Sequence, residues 1–163
     1  MPPVTYQPIG VIRTPYPDPV GIPVQAVGAM EIRGTIELDP VYAAGLRDLD
    51  GFSHLILLYH LHLVQGAALE VIPFLDDQPH GIFATRSPKR PNPIGLAVVR
   101  LLGATGTTVQ IAGVDMVDGT PLLDIKPYVP AFDSHPTHQI GWFAKNVARV
   151  AEITADDRFT TGE

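Results

Sequence analysis

Residues 28–38 set Met30, Ile32, Ile36 and Leu38 against Glu31, Arg33 and Glu37, apolar and charged side chains in turn. A period of two belongs to a strand with one buried face. Similar patterning predicts strands over residues 6–13, 52–63, 94–103, 107–114 and 122–128, with shorter ones over 69–75 and 82–85. Pro8 is tolerated near the start of the first strand or at a sheet edge. Gly103 and Gly106 frame a turn between two of these strands, and Asp118-Gly119 carries hairpin-turn chemistry. Two segments carry helical signals. Asp39 and Pro40 suit the N-cap and first position of a short helix over 41–49. In residues 140–150, Trp142, Lys145 and Arg149 lie near one stripe and Phe143, Val147 and Val150 near another, which predicts a second helix. Residues from Thr154 onward read as a frayed tail.

Short strands at regular spacing, with turn residues between them, indicate a mainly β sandwich or barrel. The 17 prolines and 15 glycines disfavour long helices. Strands do not alternate with helices, and no Gly-x-Gly-x-x-Gly is present, which argues against a doubly wound nucleotide-binding fold. A length of 163 residues suits one domain, with its core expected over about residues 6–153. An apolar fraction of 45% excludes a disordered chain, and a charged fraction of 17% points to a large buried fraction or an oligomer interface. The absence of cysteine removes disulfides, thiolate catalysis and Cys-based zinc sites. A net charge of −6 argues against strong non-specific binding to a nucleic-acid backbone, and leaves any such contact to a local basic patch. The first residues lack signal-peptide features, and the apolar run 55–58 is far short of a membrane span. A cytoplasmic protein without membrane contact is expected.

Candidate chemistry concentrates in a few places. Residues 81–100 contain Arg86-Ser87-Pro88-Lys89-Arg90-Pro91-Asn92-Pro93 between two apolar runs. Proline fixes much of the backbone there and holds three cations in chosen directions. Taken alone the stretch reads as a binding loop or, more simply, a proline-rich surface loop. His54, His60 and His62 fall close together, but no carboxylate is near them in sequence, so core or pocket histidines are favoured over metal ligands. His62 ends its strand and is the one expected to line a pocket. Residues 113–133 bring Asp115, Asp118, Asp124, Lys126 and Tyr128 together around a turn. Asp118 reads most simply as a turn residue. Asp124 and Lys126 interrupt an apolar strand on one face, and either pair with each other or bind a zwitterionic ligand. Gln25, after the proline-rich arm 14–23, offers both donor and acceptor.

Taken in order, the segments 8–13 (Pro-Ile-Gly-Val-Ile-Arg), 21–25 (Gly-Ile-Pro-Val-Gln), 51–54 (Gly-Phe-Ser-His), 81–95 and 115–133 resemble the TrmO/TsaA family of S-adenosylmethionine-dependent tRNA methyltransferases. The resemblance runs from about residue 6 to about residue 134. It implies a single compact antiparallel β-barrel with a few short helices, and a homodimer with the cofactor near the subunit interface. It implies methyl transfer from S-adenosylmethionine to N6 of threonylcarbamoyl-adenosine-37 in tRNA. Carried over by motif, cofactor contacts come from Pro23, Val24, Gln25, Leu61, His62, Arg86 and Leu96, and from Met116, Val117, Asp118 and Gly119. Lys89, Arg90 and Asn92 are expected at the tRNA, with Arg100 a further candidate for the basic patch.

Val24 stands where many family members carry arginine, and the C-terminal extension of the long bacterial forms is not present. A methyltransferase of a small molecule and a non-catalytic binding module are the competing expectations. The amide-conjugated N6 is a poor nucleophile until its proton leaves, so a base is needed. Asp118 and Asp124 are its candidates, with Lys126 and Tyr128 orienting them.

Overall fold

A computed structural model describes residues 1–159. Six strands close on themselves: β1 (Gly10–Arg13), β2 (Arg33–Leu38), β3 (His54–His60), β6 (Ile94–Thr105), β7 (Thr108–Ala112) and β8 (Thr120–Pro127). Around the barrel their order is β1-β2-β7-β6-β3-β8, and every recorded pairing is antiparallel. Two shorter strands, β4 (Glu70–Val71) and β5 (His80–Gly81), form a separate ribbon. The mainly β barrel expected from the resemblance is the architecture found.

Alternation fills the barrel. Ile12 faces Ile36, which faces Val109; Leu55 faces Val99 and Leu57 faces Ala97. All are buried. A barrel of this size has room inside only for side chains. At one end Tyr59 lies opposite Gly95, so the largest core side chain meets a residue with none. A bulge between Leu58 and Tyr59 then sets Tyr59 opposite Leu122 of β8.

Several predicted elements differ. Strand pairing over 6–13 covers only Gly10–Arg13, although the Ile9 amide still donates to the Leu122 carbonyl at 2.8 Å. The 28–38 strand starts at Arg33, because Ala26–Ala29 turns as a 3-10 helix. The 52–63 strand shrinks to His54–His60, whereas 94–103 extends to Thr105. Asp39 and Pro40 cap as expected, with the Val41 amide donating to the Asp39 carboxylate at 3.0 Å, but the helix is 3-10, Pro40–Leu46. The 69–75 and 82–85 strands reduce to Glu70–Val71 and to a 3-10 turn, Ile82–Ala84. Asp118-Gly119 does make a turn, with Gly119 at φ 79°, but the strand that follows pairs with β1 and β3 rather than with β7. The helix expected over 140–150 is two 3-10 turns, Gly141–Lys145 and Val147–Arg149. A four-residue α1 (Pro130–Asp133) is the α-helix among the described residues.

The tail is not frayed over 154–159. Thr154 bridges to Pro23, Gly21 and Ala155 bond through their backbones, and Phe159 is buried beside Val71 and Ile82. Burial of Phe159 compensates the ordering of a segment whose own sequence is largely polar.

A Cβ at Gly95 would be built into the Tyr59 ring, whereas one at Gly81 meets nothing within 4 Å. Gly95→Ala is expected to destabilise the barrel by about 1–3 kcal/mol and Gly81→Ala to leave it nearly unchanged. Urea denaturation of the two variants measures the difference.

Candidate functional site

The end of the barrel at Tyr59 and Gly95 opens into a cavity of about 450 Å³. Its walls come from stretches far apart in sequence. The arm gives Ile22, Pro23, Val24 and Gln25; the end of β3 gives Tyr59, Leu61 and His62. Arg86, Ser87 and Arg90 come from the proline-rich loop, with Gly95 and Leu96 from the strand after it. Asp115, Met116 and Val117 lie across from these, and Trp142, Phe143, Asp156 and Phe159 close the C-terminal side. A cleft of this volume and mixed polarity suits a small organic ligand.

The loop is rigid for a reason that proline alone does not supply. Arg90 turns back, and its Nη1 donates to the carbonyls of Thr85 (2.9 Å), Ile82 (3.2 Å) and Ser87 (3.4 Å). The Thr85 hydroxyl donates to Ile82 O at 2.9 Å and accepts from the Ser87 amide at 3.2 Å. Buried Thr85 therefore has its hydroxyl bonded both ways, and buried Ser87 has its amide and carbonyl bonded. Arg86 projects the other way. Its Nη1 donates to Gln25 Oε1 at 2.7 Å, and Gln25 Nε2 donates to Val24 O at 2.7 Å. The loop and the arm, 61 residues apart, are fastened through this pair.

The turn on the opposite wall is fastened to β1. Asp118 Oδ1 accepts from the Thr14 amide at 3.0 Å, and the Thr14 hydroxyl donates to Met116 O at 2.8 Å. Arg13 lies 3.7 Å from the other Asp118 oxygen. Asp118 and Gly119 thus shape the turn, and neither contributes to the cavity wall; the other nine residues expected at the cofactor all do. Asp124 and Lys126 do pair, at 2.6 Å, but outside the cavity. They sit opposite Leu58 and Ile56, on the outer face of the barrel. Tyr128 is on the same side, edge-on to His54. Arg90 is turned into its own loop rather than outward. Lys89 is half-buried and Asn92 exposed, both beyond the cavity wall. Arg100 pairs with Glu31 at 3.3 Å.

Sequence reasoning passed over Tyr59, Thr85, Ser87, Trp142 and Phe143, and gave Asp115 no role. No local signal marks them: the prolines nearest Ser87, Pro88 and Pro91, both follow it. Asp115 sits near two phenols. Burial first, and then the Asp115 carboxylate, push the hydroxyl pKa of Tyr59 and of Tyr16 upward. Tyr59 therefore stays protonated. Burial, with His60 adding to it, pulls His62 below the ordinary imidazole value and keeps it neutral. Among the described residues no group of three or more His, Cys, Asp or Glu side chains could hold a metal ion, and no helix is long and apolar enough to cross a membrane.

Residues 11–134 match the model of the tRNA-methyltransferase O N-terminal domain. A probable S-adenosyl-L-methionine-binding protein of Pyrococcus abyssi is 48% identical over 156 residues, 96% of this chain and 85% of that one. The tRNA (adenine(37)-N6)-methyltransferase of Escherichia coli is 37% identical over 141 residues, 80% of this chain and 60% of that one. The crystal structure of TrmO from Pseudomonas aeruginosa superposes with a TM-score of 0.72 at 37% identity, covering 86% of this chain and 62% of that one. The chain thus spans about three-fifths of the length of the latter two.

His62 binds fewer protons folded than unfolded in the pH window just below the ordinary imidazole value of 6.5. Its contribution to stability is accordingly full above that value and is lost as pH falls through the lower folded value. NMR titration is expected to place the His62 midpoint below 6.5, and His62→Gln to flatten the loss of stability over that window.

Proposed function

The chain belongs to the family of the tRNA-methyltransferase O N-terminal domain, and on that premise we propose that it is an S-adenosylmethionine-dependent methyltransferase of tRNA. The acceptor in this reading is N6 of adenosine 37 in its threonylcarbamoyl form. The observation that carries it is the meeting, at one cavity, of Val24, Gln25, Leu61, His62, Arg86 and Met116 from separate stretches of the chain. The donor set fits the cofactor. Arg86 offers a guanidinium to a carboxylate, Asp115 a carboxylate to an ammonium or hydroxyl, and Ile22, Val24, Leu61 and Met116 offer apolar walls to a purine.

When bound, S-adenosylmethionine supplies a sulfonium-activated methyl group. The protein's share is chiefly position. Gln25 holds Arg86, and Arg90 holds the loop that carries it, so the carboxylate anchor is preset before binding. Removing the N6 proton needs an acceptor. In the cavity wall, neutral His62 and Asp115 can serve, while Asp156 is engaged by Arg158 at 2.6 Å. Of the sequence's own candidates, Asp118 is held by the Thr14 amide and Arg13 off the cavity wall, and Asp124 with Lys126 and Tyr128 can serve only at a second subunit.

A homodimer gives them that route. Along β6 the side chains of Ile94, Leu96 and Val98 are exposed, with Leu58 and Ile56 of β3 beside the latter two. Asp124, Leu58 and Leu96 lie in one row across β8, β3 and β6, and Leu96 also lines the cavity. A second copy seated on this row covers the apolar side chains and brings its Asp124–Lys126 pair to the cavity rim. tRNA contact then falls to Lys89 and Asn92 at the loop, and salt dependence is modest because few phosphates are met.

A strain lacking this gene is expected to lose the methylated threonylcarbamoyl-adenosine from its tRNA, as read by nucleoside mass spectrometry. The wild-type gene restores it and Arg86→Ala does not. Calorimetry of Arg86→Ala should show S-adenosylmethionine affinity reduced by roughly tenfold or more, the scale of one charged hydrogen-bonded contact. An unchanged nucleoside in the deletion strain, with cofactor binding intact, points instead to a small-molecule acceptor or a binding module. Sedimentation checks the dimer separately: Val98→Asp should convert it to monomer, and a wild-type monomer would remove the proposed interface.

A further inference from the structure

Thr85, Arg86, Trp142 and Phe143 line a second hollow as well as the first. It has a volume of about 320 Å³, and its other walls are Phe83, Ala84, Ile140 and Gly141. Two adjoining hollows with a common wall are what a transfer reaction requires, one for the donor and one for the acceptor. The second is lined unlike an ordinary surface. Phe83 stands 77% exposed and Ile140 41% exposed, although the 3-10 turn that carries Phe83 is fixed beneath by Ile82 at 1%. A large aromatic ring held outward on a rigid base, near two guanidinium groups, has the chemistry of a stacking platform. One of those groups, Arg90, lies 6.0 Å from the Phe83 ring, and the other, Arg86, lies at the common wall.

The wall opposite is braced. Trp142 Nε1 donates to Ala84 O at 2.7 Å, and the indole stacks on Phe143 at 3.9 Å and on His80 at 4.4 Å. His80 is in turn bonded to Asp76 at 3.0 Å. Trp142 is thus occupied as a strut, and Phe83 presents the exposed ring. Residues 140–143 lie outside residues 11–134, the span that matches the family model.

We propose that this second hollow is the acceptor subsite, taking an unstacked purine of a single-stranded RNA loop with its ring laid on Phe83. The inference rests on the methyltransferase reading above and adds to it where the target base sits. Arg86 then has two duties, anchoring the cofactor on one side of the common wall and bordering the base on the other.

The test uses the full chain, with S-adenosylhomocysteine present, and an anticodon stem-loop RNA carrying threonylcarbamoyl-adenosine at the acceptor position and 2-aminopurine next to it in the loop. Wild-type protein is expected to change the 2-aminopurine emission on binding. Phe83→Ala should weaken hairpin binding by roughly tenfold or more, the scale of one base–aromatic stack, and leave the emission that of free RNA. Phe83→Trp should restore both, and calorimetric binding of S-adenosylmethionine should be the same in all three. Should Phe83→Ala not fold, Ile140→Asp, on the facing wall, carries the same expectation. A hairpin response unchanged by these substitutions overturns the subsite and leaves the tRNA reading standing. A wild-type protein that binds S-adenosylmethionine but gives no response with the hairpin overturns both.

Discussion

Closure of the six-stranded sheet is the constraint from which the rest follows. A sheet edge presents unpaired N–H and C=O groups, and closing the circle through β1 and β8 gives every barrel strand two neighbours. The small radius that results admits only side chains such as Ile12, Ile36, Leu55 and Val99. A ligand has no place inside. It is displaced to the barrel end, where Tyr59 opposite Gly95 and the bulge at Leu58/Tyr59 end the regular packing. The cavity forms there because loops, together with the ends of β3 and β6, supply its walls.

Those loops are held by side chains whose polar bonds and packing go to the protein itself. Arg90 binds three carbonyls of its own segment. Asp118 and Thr14 tie the 116–119 turn to β1. The C-terminal segment is anchored by Phe159 and by backbone bonds to the arm at Gly21–Val24. Charge is thereby divided: one arginine of the loop is spent on rigidity so that its neighbour, Arg86, faces the cavity from a fixed position. This division explains how a protein with net charge −6 can present cations where an anionic partner needs them, since local geometry rather than overall charge sets the field at a site.

Much of the site was legible in the chain. Pro23, Val24, Gln25, Leu61, His62, Arg86, Leu96, Met116 and Val117 all reach the cavity; all but Leu61, His62 and Leu96 lie in the ordered segments that carry the family resemblance. Asp124 and Lys126 miss the cavity wall because spacing along one strand does not say which side of a barrel a side chain meets, and Asp118 misses it because Thr14 holds it in the turn before that strand. The bulge beside Tyr59 places Asp124 opposite Leu58, outward. Arg90 was taken for a surface cation because nothing local announces that a guanidinium will turn back on the carbonyls before it. The helix over 140–150 was inferred from a stripe, yet Gly141 at φ 59° opens one 3-10 turn and Asn146, at φ −127° and ψ 1°, separates it from the next.

The sequence by itself determined the strand periodicity and the family motifs, since alternation, turn residues and ordered rare residues are local properties that survive without a fold. Tertiary structure alone decided that the tail is a wall, that Asp115 and Tyr59 share the cavity, and that Trp142 braces a second hollow beside Phe83. Each of these depends on contacts between residues far apart in the chain, whose geometry is fixed only when the barrel closes and its loops are brought to one end.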